Sequence, residues 1–383
     1  MRVTVSVGGR FHAFYLAREL QRHGALRRLI TSYPRFEVAK YGISKALVRS
    51  LVFKEVLARG WQKLPRMLRQ AYNPQFLLHE GFDVLASRHL EPSDVVVAWS
   101  SFGLHTLRRA KAMGAVGVLE RGSPHMLREQ ALTREVYEEQ GLRFNRTHPR
   151  IIEKELQEYQ EAHFICVPSQ FAKRSFLQEG VPEEKLLCVP YGVDLGEFYP
   201  LPKQDSIFRV VYAGSMALEK GVQYLLRAFS ELRLARAELL LVGGLTEEIR
   251  PVFRRYEGLF RWVGHVPQRE LNRYYAQGSV FVMMGVAEGL AMVQPQAMAA
   301  GLPGICSRNS GGEDIVRDGI DGFVIPSRDT EALKEKLLLL YRDPELCRHM
   351  GRQARERVKE GFSWRDYGQR ALQCYRRLLD ARG

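Results

Sequence analysis

Short apolar runs alternate with segments of helical period along the whole chain. On the N-terminal side the runs are VTVSV (3–7), LRRLIT (26–31), DVVVAW (94–99), VGVLE (116–120), FICVP (164–168) and KLLCVP (185–190). Helical spacing of apolar positions separates them, as in 11–22 and 169–179. A second series begins near 207 with IFRVVYAG and continues through ELLLVGG (238–244), RWVG (261–264), SVFVMM (279–284), PGICS (303–307) and GFVIP (322–326). Near-continuous apolar strands joined by helices predict parallel sheets covered on both faces, an α/β architecture. The segment 189–206 holds Pro190, Gly192, Gly196, Pro200 and Pro202 and no periodicity, so it divides the chain. The predicted organisation is a first domain over 1–190, a linker over 191–206, a second domain over 207–362 and a closing amphipathic helix over 363–383. Two doubly wound sheets then face each other across a cleft, with ligands expected beyond the carboxyl ends of the strands.

Composition changes this picture in one respect. The chain has 383 residues, ample for two cores, and carries a formal charge of +14. Residues 1–150 hold 25 Lys and Arg against 12 Asp and Glu, whereas the remainder holds 32 against 31. Within the basic part, Lys40, Lys45, Arg49, Lys54, Arg59, Lys63, Arg66 and Arg69 alternate with Ile43, Leu47, Leu51, Val52, Val56, Leu57, Leu64 and Leu68. That is the pattern of a basic amphipathic helix. It has two readings: contact with an anionic membrane surface through residues 40–70, or a solvated helix whose apolar face packs on its own domain. No recognition motif accompanies the charge, so nucleic acid is not an expected partner. No apolar run is long enough to span a bilayer, and the first residues alternate like a strand instead of forming a signal peptide, which implies a cytoplasmic location, at most peripheral on the inner face of a membrane. Cys166, Cys188, Cys306, Cys347 and Cys374 are scattered without a CxxC and read as free thiols.

Four segments carry candidate chemistry. Gly8 and Gly9 follow the first strand, where the backbone can approach an anion at a helix start, although a plain tight turn has the same signature. In AGSMALEKG (213–221) a strand ends at Gly214, Ser215 follows, and Lys220 stands where a helix begins, placed to meet a phosphate. In VMMGVAEGLAMVQPQAMAAGLPGICS (282–307), Glu288 and the backbone of Gly289, Leu290, Ala291 and Met292 form a loop before a helix. A carboxylate there suits sugar hydroxyls, and Gln296 lies within reach of the same pocket. In LERGSPHMLREQ (119–130) a strand end delivers Arg121 and His125, with His12 and His105 as the next histidines at strand ends.

Together these motifs resemble the retaining glycosyltransferases of family 4, "group 1", which have GT-B architecture. The resemblance rests on Lys220-Gly221, on Glu288 followed after seven residues by Gln296, on Ala297-Met298-Ala299-Ala300-Gly301-Leu302-Pro303, and on SGGEDIVRDGIDGFVI (310–325). It covers about 160–360 closely and the first part loosely. It implies two facing Rossmann-like domains, with the C-terminal helix crossing back to the first. It implies transfer of a hexose from a UDP- or GDP-sugar, without a metal or other cofactor, to a saccharide or lipid-linked hydroxyl with retention of configuration. In this pattern Lys220, Glu288 and His125 are the catalytic candidates, and Gly8, Gly9, Ser215, Gly243, the 289–292 loop and Gln296 the donor contacts. Two positions depart from the family: Ser215-Met216 stands where an arginine is usual, leaving Arg121 as a possible substitute phosphate partner, and Gln296 replaces the second glutamate. These departures leave open a non-catalytic nucleotide-sugar-binding or membrane-scaffold protein, and a sugar-nucleotide epimerase is a further alternative.

Overall fold

The computed structural model describes residues 1–65, 67, 73–144 and 147–380. The first domain is a parallel sheet of β1 (Val3–Val7), β2 (Leu26–Thr31), β3 (Val48–Ser50), β4 (Val95–Trp99), β5 (Val116–Glu120), β6 (Phe164–Val167) and β7 (Leu186–Cys188). Their order is β3-β2-β1-β4-β5-β6-β7. The second contains β8 (Phe208–Ala213), β9 (Ala237–Val242), β10 (Arg261–Trp262), β11 (Val280–Met283), β12 (Gly304–Ser307) and β13 (Gly322–Ile325), in the order β10-β9-β8-β11-β12-β13. The central strands β1, β4, β5 and β11 are buried at every position, which is why they read as unbroken apolar runs. In both sheets the order reverses beside the first strand, so a crevice opens beyond β1/β4 and beyond β8/β11. This is the α/β arrangement of two Rossmann-like sheets that the pattern predicted.

The basic stretch is organised differently from the expectation. It is not one amphipathic helix. A short turn at Lys45–Leu47 leads into β3, whose residues pair with Leu29, Ile30 and Thr31 at the sheet edge, and a helix follows over Phe53–Gln62. Pairing with β2 buries Val48, and tertiary hydrogen bonds override a helical spacing that local sequence alone favours. Ile43 and Leu51 are buried in the domain, whereas Val56 and Leu57 remain 64% and 57% exposed. Arg66, Leu68 and Arg69 lie outside the described residues.

The chain closes on itself through its last helix, Trp364–Asp380. This helix packs on the first domain's helix Ala13–Arg22. Tyr15 stacks on Trp364 with ring centroids 4.0 Å apart and planes 3° from parallel. A Cβ on Gly368 would stand 2.3 Å from Glu19 Cβ, so only glycine allows the two helices to approach this closely. The five cysteines are free; Cys166, Cys306 and Cys347 are buried and the other two half-buried. Among the described residues, no helix is long and apolar enough to cross a membrane.

Candidate active site

The loops after β8 and β11 form the centre of the site. β8 ends at Ala213, and Gly214 turns the chain with φ 141°. Met216 N then donates to Gly244 O at 2.7 Å, fixing this loop against the one after β9. Gly243 is required by that contact, since its Cβ would sit 1.7 Å from Gly214 O. Ser215 is exposed at the tip. A 3-10 turn, Leu218–Lys220, precedes Gly221, whose φ of 71° starts the helix Val222–Leu232. Lys220 Nζ forms an ion pair with Glu288 Oε1 from the β11 loop. Burial works against the Lys220 ammonium, but the Glu288 carboxylate outweighs it and the net shift is upward.

Glu288 is held from both sides. Its N–H donates to Asn309 O at 2.9 Å, and Val286 N donates to Glu219 O at 2.9 Å. Gly289, Leu290 and Ala291 are buried and Met292 half-buried, leading into the helix Val293–Ala299 with Pro295 tolerated in its first turn. Gln296 is buried and its Oε1 accepts from Tyr275 Oη at 3.3 Å.

The first domain closes directly on this loop. A Cβ on Gly289 would lie 2.0 Å from Gly122 O, and Ser169 Oγ donates to Gly289 O at 2.5 Å. Backbone of the β5 loop and backbone of the β11 loop are therefore in contact. Farther out, Arg328, left-handed at φ 66°, pairs with Glu135 and Glu139 of the first domain's helix Met126–Glu139, each at 2.9 Å. Tyr224 Oη donates to Glu139 at 2.6 Å, and Tyr137 Oη to Glu248 at 3.0 Å. Arg328→Gly should relieve the strain while removing both ion pairs. Half-exposed pairs contribute about 0.5–1 kcal/mol, so a ligand held between the two domains should weaken about 2–5-fold. Small-angle scattering and ligand titration on the variant measure this; an unchanged radius and affinity would exclude a closing role for the pair.

The candidates on the first domain make structural contacts. Gly8 and Gly9 end β1, and there rings explain the glycines: a Cβ on Gly8 would meet Phe102 at 2.1 Å and one on Gly9 would meet Phe11 at 2.7 Å. Arg121 is buried, with its guanidinium committed to Glu129 at 2.5 Å, Glu155 at 3.1 Å and Pro124 O at 3.1 Å. It does not stand free as a replacement phosphate partner. His125 is the N-cap of Met126–Glu139, its Nδ1 accepting from Leu127 N at 3.3 Å. Its ring packs between Tyr159 and Phe176, and burial, then Arg121, push its pKa down to about 4, so it is neutral. His12 is likewise buried, 3.2 Å from Glu120 and beside Tyr191 and Trp99. His105 pairs with Glu80 at 2.6 Å. Glu80, Asp83 and His105 are arranged as metal ligands are, but Lys154 already neutralises Glu80 and Asp83 at 2.6 and 2.8 Å.

Sequence reasoning missed Glu129, the other half of the Arg121 pair. Burial raises its pKa to about 7; Arg121 opposes this, while Glu155 and Glu288 add to it. Glu129 thus shares the field of Lys220 and Glu288 across the domain boundary. Its signal was its spacing, one helical turn after His125 on the same helix face.

Known proteins resemble the second domain in sequence and the whole chain in fold. The family model "Glycosyl transferases group 1" matches residues 207–343, which hold Lys220, Glu288 and Gln296. A sulfoquinovosyl transferase of Arabidopsis thaliana is 32% identical over 222 residues, 54% of this chain and 43% of that protein. A GDP-mannose-dependent α-(1-6)-phosphatidylinositol monomannoside mannosyltransferase of Mycolicibacterium smegmatis is 27% identical over 250 residues, 58% of this chain and 64% of that protein. The chain thus spans about half the length of the curated relatives it matches. The sucrose-phosphate synthase structure from Thermosynechococcus elongatus superposes over 100% of both chains with a TM-score of 0.73 at 20% identity, and shares the fold. The two facing Rossmann-like domains are those of GT-B proteins. The second domain, residues 207–343, thus matches the glycosyl transferases group 1 family model on a chain of GT-B fold.

Proposed function

We propose that the protein is a retaining glycosyltransferase that moves a hexose from a UDP- or GDP-sugar to an acceptor hydroxyl, in polysaccharide or glycolipid synthesis. The observation that carries this reading is the meeting of Lys220 and Glu288, from the carboxyl ends of β8 and β11, beneath the β5 loop of the other domain. Breaking the donor's glycosidic bond leaves charge on the nucleotide diphosphate. Lys220, Ser215 and backbone amides of the 289–292 loop other than Ala291, whose N–H donates to Ser310 O, supply preorganised positive charge and dipoles there, without a metal. When donor phosphate takes the Lys220 ammonium, Glu288 turns to the sugar hydroxyls, and Gln296 holds the ribose. The departing phosphate oxygen takes the acceptor proton, so no enzyme carboxylate acts as nucleophile. His125 and Arg121 position the β5 loop over the sugar, and closure at Gly122–Gly289 excludes water that would otherwise hydrolyse the donor. The deciding experiment offers UDP- and GDP-hexoses with saccharide acceptors and follows the anomeric configuration of the product by NMR. A product of inverted configuration would overturn the retaining mechanism. Gln296 and Ser215 favour one second reading, a protein that binds the donor without turnover, and saturable nucleotide binding with no transfer or hydrolysis would establish it.

Glu129 makes donor binding pH-dependent. Its folded pKa is raised, so it is neutral below about 7 and adds a negative charge to the site above that value. A nucleotide-sugar diphosphate keeps its charge throughout this range. Its affinity should therefore fall as pH rises from 6 to 8, and Glu129→Gln should flatten the profile. Calorimetric titration at several pH values checks this; a wild-type profile flat over that interval excludes the role.

The helix Phe53–Gln62 presents Val56 and Leu57 near exposed Arg59, with exposed Lys63 just past its end. Exposed apolar side chains flanked by cations favour peripheral attachment to an anionic membrane and a lipid-linked acceptor. Vesicles containing phosphatidylglycerol should retain the protein at low salt and release it as ionic strength rises. Equal retention on neutral vesicles would sink this part of the proposal.

A further inference from the structure

Away from the donor loops, a cavity of about 680 Å³ opens between the domains beside the linker. Its walls come from the start of the helix Ala13–Arg22, the segment after β2, linker residues Asp194 and Glu197, and Pro267–Arg269. None of Ser215, Lys220, Glu288 or Gln296 lines it. Three tyrosines form one wall: Tyr15 and Tyr41 meet edge to face at 5.5 Å, and Tyr33 and Tyr41 both pack edge-on against Phe14, at 5.8 and 5.3 Å. Arg10 reaches across to Tyr41 Oη at 3.0 Å, and Gln268 bridges Tyr15 Oη at 3.4 Å and Glu197 at 3.0 Å.

The chemistry of this lining selects a ligand class. Rigid aromatic walls match the flat C–H faces of pyranose rings, and planar carboxylates, amides and guanidinium groups match ring hydroxyls. Among the described residues, neither Arg10 nor Arg269 is ion-paired to a carboxylate, so two cationic forks are available. Arg18 and Lys40 also line the cavity but are paired to Glu19 and Glu37, while Asp194 and Glu197 add negative charge that disfavours a densely charged phosphate polymer. We infer that this groove is a saccharide subsite that takes an oligosaccharide bearing isolated carboxylates. Its service as an extended acceptor site rests on the glycosyltransferase reading, whereas its binding chemistry does not.

The test is calorimetric titration of the full chain with tetragalacturonate, maltotetraose and, separately, UDP and GDP. Arg10 and Arg269 are exposed, so Arg10→Ala/Arg269→Ala should leave the fold intact. That double variant should bind tetragalacturonate about tenfold or more weakly than wild type, from the loss of charge-assisted hydrogen bonds. Maltotetraose should bind wild type more weakly than the acidic tetramer and be unaffected by the substitutions. Tyr41→Phe keeps the ring and should cost a smaller factor. Equal tetragalacturonate affinity in the variants, or no saccharide binding at millimolar concentration, overturns the subsite. Saccharide binding without nucleotide binding would support the groove while overturning the donor reading.

Discussion

Lys220→Ala should reduce transfer about 10²–10³-fold, the usual loss when one preorganised donor to a developing oxyanion is removed. The Lys220 ammonium is already desolvated and already held by Glu288. A charge kept in place by a neighbouring carboxylate needs little reorganisation when phosphate arrives. Removing it also strands Glu288, which is largely buried, so the variant should melt earlier as well. The two effects separate in a double variant. Lys220→Ala/Glu288→Ala should recover much of the lost stability and none of the transfer, because the pair's electrostatic partner is gone but the phosphate ligand is still missing. Thermal melts with and without UDP or GDP, beside initial rates, make the comparison. A rate loss below tenfold in Lys220→Ala would remove this lysine from the diphosphate site.

Gly221→Ala should be among the most damaging single-methyl additions in the molecule. Gly221 holds φ at 71°, and an added Cβ would stand 1.9 Å from Met284 O. A left-handed alanine costs about 1–2 kcal/mol from the backbone alone. The overlap with a carbonyl oxygen adds to that, because Met284 follows β11 and cannot move without shifting the loop that carries Glu288. The expected total is about 3 kcal/mol or more, among the large effects of point substitutions. Gly319→Ala is the internal control, with a similar φ of 75° and nothing within 4 Å of its Cβ. It should lose only the backbone component of about 1–2 kcal/mol. Urea denaturation of the two variants gives the difference directly. Equal losses would show that Met284 yields and that the β8 and β11 loops are not rigidly coupled.

These two predictions also separate what was readable along the chain from what was not. The buried central strands announce themselves, because a strand covered on both faces must be apolar at consecutive positions, and that signal is local. The start of the second domain, the helix behind Gly221 and the closing helix from Trp364 are legible for the same reason. β3 was not. Val48–Ser50 is three residues long, and only its hydrogen bonds to Leu29–Thr31 make it a strand. The recurring cations around it suggested a helix until the sheet edge claimed them.

The proposed donor site divides along the same line. Lys220 and Glu288 were identifiable through motif spacing, but their meeting depends on β8 and β11 being neighbours in the sheet, sixty-eight residues apart in sequence. Arg121 and His125 looked like free loop residues. Folding turns Arg121 inward to Glu129 and Glu155, and makes His125 a helix cap between two aromatic rings. Local pattern therefore marks the buried central strands, the helix behind Gly221 and the residue types available for chemistry, since each depends on the burial of near neighbours. Which charges pair, which histidine is buried and where two domains touch depend on contacts between distant segments. Those contacts are set by sheet order and the packing of whole layers, and no window of sequence contains them.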